Sequence, residues 1–303
     1  MEFNKIMIIT MDENSALYTS EGRKLGIATE TYFKRKSFYQ RIMGRIDRNL
    51  NTFFSYFFWD KWKKNLNDID TVILNSHIYS LPIVRYLNKK FPDIRIIIWY
   101  SNPVSKDTPI NSYEKFNCEI WSFDKDDCQK YDLRENNQFI DHEMFNNLNN
   151  EIKYDLCFIG LDKGRLSQLL DLKTKFDERD ISTYLYIVNS NKNSSDSYNY
   201  ENRISYKELL NIESNSRALL DIVQPEQRGQ TLRPIEALFF KKKIVTNNYS
   251  ILEADFYNRE NIFILGKDNI QDIQEFLKSD YKDLSSDLLE KYTVKGWISN
   301  FFL

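Results

Sequence analysis

Residues 154–188 read YDLCFIGLDKGRLSQLLDLKTKFDERDISTYLYIV, and this stretch decides the fold. Asp155–Gly160 is a short apolar run that ends in a glycine, and a charged turn follows it. Leu166–Arg179 then spaces its apolar residues along one helical face, and Thr183–Val188 is a second run rich in β-branched and aromatic residues. A pattern that passes from strand to helix and back to strand is the unit from which α/β sheets are wound.

The same alternation continues outward. After a polar Asn/Ser loop the spacing predicts a helix at Tyr206–Ser214, a strand at Ala218–Ile222, a helix at Leu232–Phe240 and strands at Lys243–Thr246 and Asn261–Leu265. An amphipathic segment, Ile270–Lys278, closes this half. Before residue 154 the expected strands are Lys5–Thr10, Thr71–Asn75, Ile94–Tyr100 and Glu119–Phe123, with helices at Phe38–Leu66 and Leu81–Lys90, the second stopped by Pro92. A short strand at Gln138–Ile140 leads into DHEMFNNLNNEIKYD, whose Asn clusters and missing apolar period mark a connector. The expected organisation is α/β, with two Rossmann-like doubly wound domains at 1–150 and 151–303. Their sheets would present their carboxyl ends to one cleft, the place where such folds bind ligands.

Charge and composition narrow the chemistry. The 42 Lys and Arg against 44 Asp and Glu leave a formal charge of −2, which argues against a whole-surface nucleic-acid binder. No apolar run approaches the ~18 residues of a membrane span, and MEFNKIMIIT lacks a signal pattern, so the cytoplasm is the expected compartment. Cys118, Cys128 and Cys157 have no C-x-x-C spacing, and the histidines are only His77 and His142, so neither a disulfide framework nor an N/S metal site is expected. No G-x-S-x-G elbow and no glycine fingerprint for a dinucleotide occurs.

The segment that carries chemistry is Asp221–Phe240, DIVQPEQRGQTLRPIEALFF. It begins as a strand, turns at Gly229 and enters a helix at Thr231–Leu232. With Thr231 at the N-cap, the free amides of the first helical turn make a phosphate site. Glu236, one turn inside, can accept hydrogen bonds from two vicinal ribose hydroxyls. The plain alternative is a capped structural helix with a solvated Glu236.

This segment resembles the nucleotide-sugar signature of GT-B glycosyltransferases, in which two glutamates at E-x7-E spacing flank a glycine-rich turn. Laid on RGQTLRPIE, the pattern puts Arg228 at the first glutamate, Gly229, Gln230 and Thr231 on the turn, and Glu236 at the second glutamate. DLCFIGLDKGR is similar to the strand and loop that open the family's C-terminal domain. The resemblance covers residues 154–268, and covers the N-terminal half as architecture alone. Its nearest match is to small bacterial transferases of capsule, exopolysaccharide or lipopolysaccharide assembly. It implies an acceptor-side N-terminal domain, a nucleotide-sugar-binding C-terminal domain, and a donor site at Gly160, Lys163, Arg165, Tyr206, Arg228, Gly229, Gln230, Thr231, Leu232 and Glu236. By its position at the opening of the helix after the polar loop, Tyr206 is a candidate either to stack on the base or to pack into the core. It also implies transfer to a glycan or lipid-linked acceptor with cations and helix amides, not a metal or other cofactor, stabilising the leaving diphosphate. Arg228 departs from the pattern, which puts retaining chemistry in doubt.

For a general base toward the acceptor the candidates are His77, Asp12 and Glu13, each following an expected strand; His142 at the connector reads as a hinge residue. Of two Asp-x-Asp strings, Asp68–Asp70 precedes its strand, and Asp124–Asp126 reads as an N-cap with an acidic first turn rather than a metal site. Two other functions fit the same architecture: a nucleotide-sugar epimerase, and a non-catalytic subunit that activates or anchors a partner transferase. Finally, residues 34–64 carry nine Lys and Arg against Asp47 and Asp60, interleaved with Phe38, Tyr39, Phe53, Phe54, Tyr56, Phe57, Phe58, Trp59 and Trp62. Such a stretch suits a peripheral membrane contact on anionic lipid, or else packs its rings into the core.

Overall fold

The computed structural model describes residues 1–10, 20–33, 42–43, 46–47, 52, 54–77, 79–105, 108–146, 148–190, 195, 197–224 and 231–303. They divide into two compact units, residues 1–141 with 294–303, and residues 142–293.

The first unit holds six parallel strands: β1 (Ile6–Thr10), β2 (Ala28–Thr31), β3 (Thr71–Asn75), β4 (Arg95–Tyr100), β5 (Glu119–Ser122) and β6 (Arg134–Glu135), in the order β2-β1-β3-β4-β5-β6. Met7, Ile9, Val72, Leu74, Ile96 and Ile98 face one core, while Ile6, Ile8, Ile73, Ile97 and Trp99 face another. Strands buried on both faces need apolar residues at every position, which is why β1, β3 and β4 read as continuous runs. Helices α1 (Ser20–Lys24), α2 (Ser80–Lys90) and α3 (Lys125–Tyr131) belong to this unit.

The second unit has five parallel strands: β7 (Tyr154–Leu161), β8 (Thr183–Val188), β9 (Ser216–Asp221), β10 (Lys243–Thr246) and β11 (Ile262–Ile264), in the order β11-β10-β9-β7-β8. Its helices are α4 (Leu166–Asp177), α5 (Tyr206–Glu213), α6 (Leu232–Phe240), α7 (Ile273–Lys278) and α8 (Ser286–Glu290). Counted from the first strand of each unit, both sheets share the order 2-1-3-4-5, and the first unit adds the short β6. This is the doubly wound order, and its switch points lie between β1 and β3 and between β7 and β9.

Four expectations change. β2 and β6 were not expected, because neither carries an apolar run: ATET is half-buried and Arg134–Glu135 exposed. Gln138–Ile140 forms no strand of the sheet. Phe139 is apolar because its ring stacks on Trp297, with centroids 4.1 Å apart. Within 38–66 the described residues are helical at 42–43 and 46–47, as expected, but the single helix does not run on: two short 3-10 turns follow, Phe54–Phe58 and Lys61–Lys64, the second started by Asp60. Finally, residues 294–303 return to the first unit as α9 (Val294–Asn300), whereas the sequence placed them in the second domain. Trp297 and Phe301 supply the apolar area for that return, packing on Trp99 and Trp121. The Glu21 carboxylate accepts the Val294 and Lys295 amides at 3.3 and 3.1 Å, satisfying the first turn of α9.

Trp297 is fully buried between Phe139, Trp99 and Phe301. Trp297→Ala is expected to cost ~3–5 kcal/mol of stability, read by urea unfolding, with the first unit losing cooperativity first.

Candidate functional site

β7 ends in Gly160 and Leu161, and the chain turns through Asp162–Arg165 into α4. Lys163 and Gly164 both take left-handed backbone, at φ 49° and 83°, which folds the turn back over the sheet edge. Asp162 caps α4 by accepting the Leu166 amide at 2.8 Å, and its other oxygen accepts from the Tyr200 hydroxyl at 2.6 Å. Gly160 leaves room for the Arg165 side chain to cross. A Cβ there would stand 3.3 Å from the Phe158 ring and 3.6 Å from Arg165 Nη2.

Across the switch point β9 ends in Asp221, and eleven residues later α6 starts at Leu232. Between these strand ends and the starts of α5 and α6 lies a cavity of ≈ 310 Å³. Gly160, Lys163, Arg165, Tyr206, Thr231, Leu232 and Glu236 all line it. Arg228, Gly229 and Gln230, the other expected donor-site residues, lie outside the described residues.

The local bonds differ from expectation in three places. Thr231 stands at the N-cap of α6 with extended backbone, but it makes no cap bond. Its hydroxyl donates to Asp221 Oδ1 at 2.8 Å, so Thr231 does not cover the positive end of its own helix. Asp221 also accepts from Thr246 at 3.0 Å. Burial pushes the Asp221 carboxyl above its usual range, against the two hydroxyl donors and Arg165, which favour the charge.

The Arg165 guanidinium is tied to backbone. It donates to the carbonyls of Asp162 at 3.1 Å, Leu161 and Ile222, and lies over the Phe158 ring. It clamps the β7 turn to the β9 turn and lends the cavity its charge, while its donors are largely committed. Lys163 is different. Its ammonium has no hydrogen-bond or ion-pair partner among the described residues, and desolvation with the neighbouring Arg165 charge lowers its pKa.

Glu236 is neither solvated nor alone. It is buried, and Arg233 donates to it at 3.1 Å while also pairing with Glu213 and donating to the Ile159 carbonyl at 2.7 Å. Arg233 was legible as an i, i+3 partner of Glu236 on a helix. Asp221 stood in the quoted segment as a strand-end acid. Glu213 carried no sequence signal, because its contact is tertiary.

His77 follows β3 in the first unit, at that unit's own switch point. Its Nδ1 accepts from the Tyr79 amide at 3.4 Å, and its ring packs on Tyr32 and Tyr79. With Nδ1 accepting, the neutral imidazole carries its proton on Nε2. Asp12 and Glu13 lie outside the described residues. Asp124 accepts from the Asp127 amide at 3.0 Å and caps α3, as its N-cap reading expected.

No family model and no curated protein matches this chain. Among solved structures, the crystal structure of a GtfA/B complex bound to UDP and GlcNAc aligns over 79% of this chain at 13% identity, with a TM-score of 0.32. The match spans 57% of that structure's chain. A likeness this loose carries no argument about function.

Burial holds the His77 pKa below its usual 6.5. The unfolded chain therefore takes up this proton first as the pH falls. The stability that His77 contributes is full above about 6.5 and declines as the pH drops from there through the lowered folded value. His77→Gln should flatten that slope, measured by urea unfolding at pH 7.5 and 5.5. An unchanged slope would exclude a buried neutral imidazole.

Proposed function

We propose that this chain is a glycosyltransferase that moves a sugar from a nucleotide-diphosphate donor to a glycan or lipid-linked acceptor of surface polysaccharide. The observation that carries this is the meeting, in one cavity at a doubly wound switch point, of a helix N-terminus that its N-cap residue leaves uncapped, an ammonium without a partner among the described residues, and a carboxylate. The diphosphate would lie against the amides of Leu232 and Arg233 at the start of α6 and the Lys163 ammonium, with the Arg165 charge behind. These groups stabilise the negative charge that grows on the leaving phosphate as the glycosidic bond breaks. They act without a metal in this mechanism. Glu236 would accept the ribose hydroxyls through Oε1, since Arg233 holds Oε2, and Tyr206 would lie against the base. The first unit would serve the acceptor.

The membrane contact proposed for residues 34–64 is narrower than the sequence suggests. Trp59 and Trp62 are fully buried and belong to the core, and Tyr56 packs on Trp59 and Tyr86. Phe57, 77% exposed, and the lysines 61 and 64 remain as the described part of such a surface. Lys34, Arg35, Lys36, Phe38, Tyr39, Arg41, Arg45, Arg48 and Phe53 lie outside the described residues, and no side-chain description covers Phe54. No described helix is long and apolar enough to cross a membrane. Vesicles with anionic lipid should sediment the protein at low salt and release it at high salt. Recovery in the supernatant under both conditions would leave these lysines a plain solvated face.

A thermal-shift panel of UDP-, GDP-, dTDP- and CMP-sugars should find a stabilising donor, since a ligand at ~100 times its Kd adds about 2.7 kcal/mol. Glu236→Gln should weaken nucleotide binding by about 1–3 kcal/mol in calorimetry. Folding should hold, because Arg233 keeps Glu213 as its counter-ion. Incubation with the donor and acceptor glycans in excess EDTA should yield transfer. Epimerised donor, or no product without a partner chain, would favour the epimerase or the non-catalytic subunit.

A further inference from the structure

Arg233 stands between two buried carboxylates. Glu213, 1% exposed, closes α5 and pairs with the guanidinium from behind; Glu236, 4% exposed, pairs with it from the cavity side. Arg233 itself is 13% exposed, and its second nitrogen is anchored on the Ile159 carbonyl. Glu213 does not line the cavity, whereas Arg233 and Glu236 do. One guanidinium offsets one carboxylate, so this cluster keeps a negative charge that nothing within it balances. Of the other charged groups that line the cavity, Arg165 and Asp221 attract one another.

We propose that Glu213 is a positioning residue that holds Arg233 away from full pairing with Glu236, and so keeps the Glu236 carboxylate open to a vicinal diol. This rests on the reading of Glu236 as the ribose acceptor. With Glu213 present, the guanidinium is shared and anchored at three points. Glu236 Oε1 then keeps its full strength as an acceptor, and no described residue donates to it. With Glu213 neutral, the whole guanidinium charge falls on Glu236. The carboxylate becomes half of a closed ion pair and a poorer partner for hydroxyls. Glu213 therefore sets how well the cavity tells a ribonucleotide from one that lacks a hydroxyl, without touching either.

The test compares wild type with Glu213→Gln by calorimetry, using UDP or GDP, whichever binds tighter, and its 2′-deoxy counterpart. Wild type should prefer the ribonucleotide about tenfold or more, the worth of one hydrogen bond to a charged group. Glu213→Gln should lose that preference to within about twofold, with affinity for the 2′-deoxy form unchanged. Its melting temperature should not fall, because one carboxylate and one guanidinium remain as a balanced pair. A variant that keeps the wild-type preference overturns the proposal. So does one that loses affinity for both nucleotides equally, or one that melts well below wild type, since Arg233 would then need both charges for folding alone. Wild type that binds both nucleotides equally, or neither, removes Glu236 from the ribose and fails the underlying reading instead.

Discussion

Parallel neighbours in a sheet must be joined by crossovers, and crossovers in such sheets are right-handed. A sheet that adds one strand on one side of its first strand and the rest on the other must therefore send its connections to opposite faces. The loops above the carboxyl ends part at that reversal and leave a crevice that no side chain had to be removed to make. In the second unit the reversal falls between β7 and β9, and the cavity stands there. Each group that gives the cavity its character sits on a connection beginning or ending at those two strands, or on α5.

Backbone groups at such a place are left over, and the way they are answered gives the site its polarity. The carbonyls of Leu161, Asp162 and Ile222 converge on Arg165, so a cation that could have faced the cavity holds two turns together instead. The amides at the start of α6 receive the opposite treatment. Thr231 has the right position and backbone to cap them, yet its hydroxyl goes to Asp221. A strand-end acid thereby keeps a helix end open. Among the described residues, one end of the cavity carries positive charge from Lys163 and α6 that no side chain answers, while Glu236 lines it with a carboxylate and Glu213 stands behind Arg233. A phosphate beside a sugar hydroxyl pair has the complementary arrangement.

Burying three ionised groups together is costly, and a well-packed apolar trio of similar volume is often at least as stable. The Glu213–Arg233–Glu236 cluster is thus a poor device for stability. Its geometry makes more sense as a device for setting charge, since Arg233 reaches α5, β7 and α6 at once and fixes their relative positions at the cavity floor. The first unit has a different edge. At its switch point His77 is packed among tyrosines and its Nδ1 accepts from a backbone amide.

Much of this was determined by the sequence alone. Strands buried on both faces cannot avoid continuous apolar runs, so β1, β3, β4, β7 and β9 were legible to within a residue or two, and with them the doubly wound class. The segment from Asp221 to Phe240 also announced its helix start and its carboxylate, because cap position and helical spacing are local. Edge strands β2 and β6 were not legible, since an edge needs no apolar pattern. Nor was the return of α9 to the first unit, because an amphipathic helix does not say which sheet it will cover. Only the tertiary structure decided that Thr231 serves Asp221 and not its own helix, that Arg165 serves carbonyls, and that Glu213 stands behind Arg233. Those choices join residues 10, 57 and 20 positions apart. No local spacing encodes them, because hydrogen-bond and ion-pair partners are settled by which groups the fold leaves buried side by side.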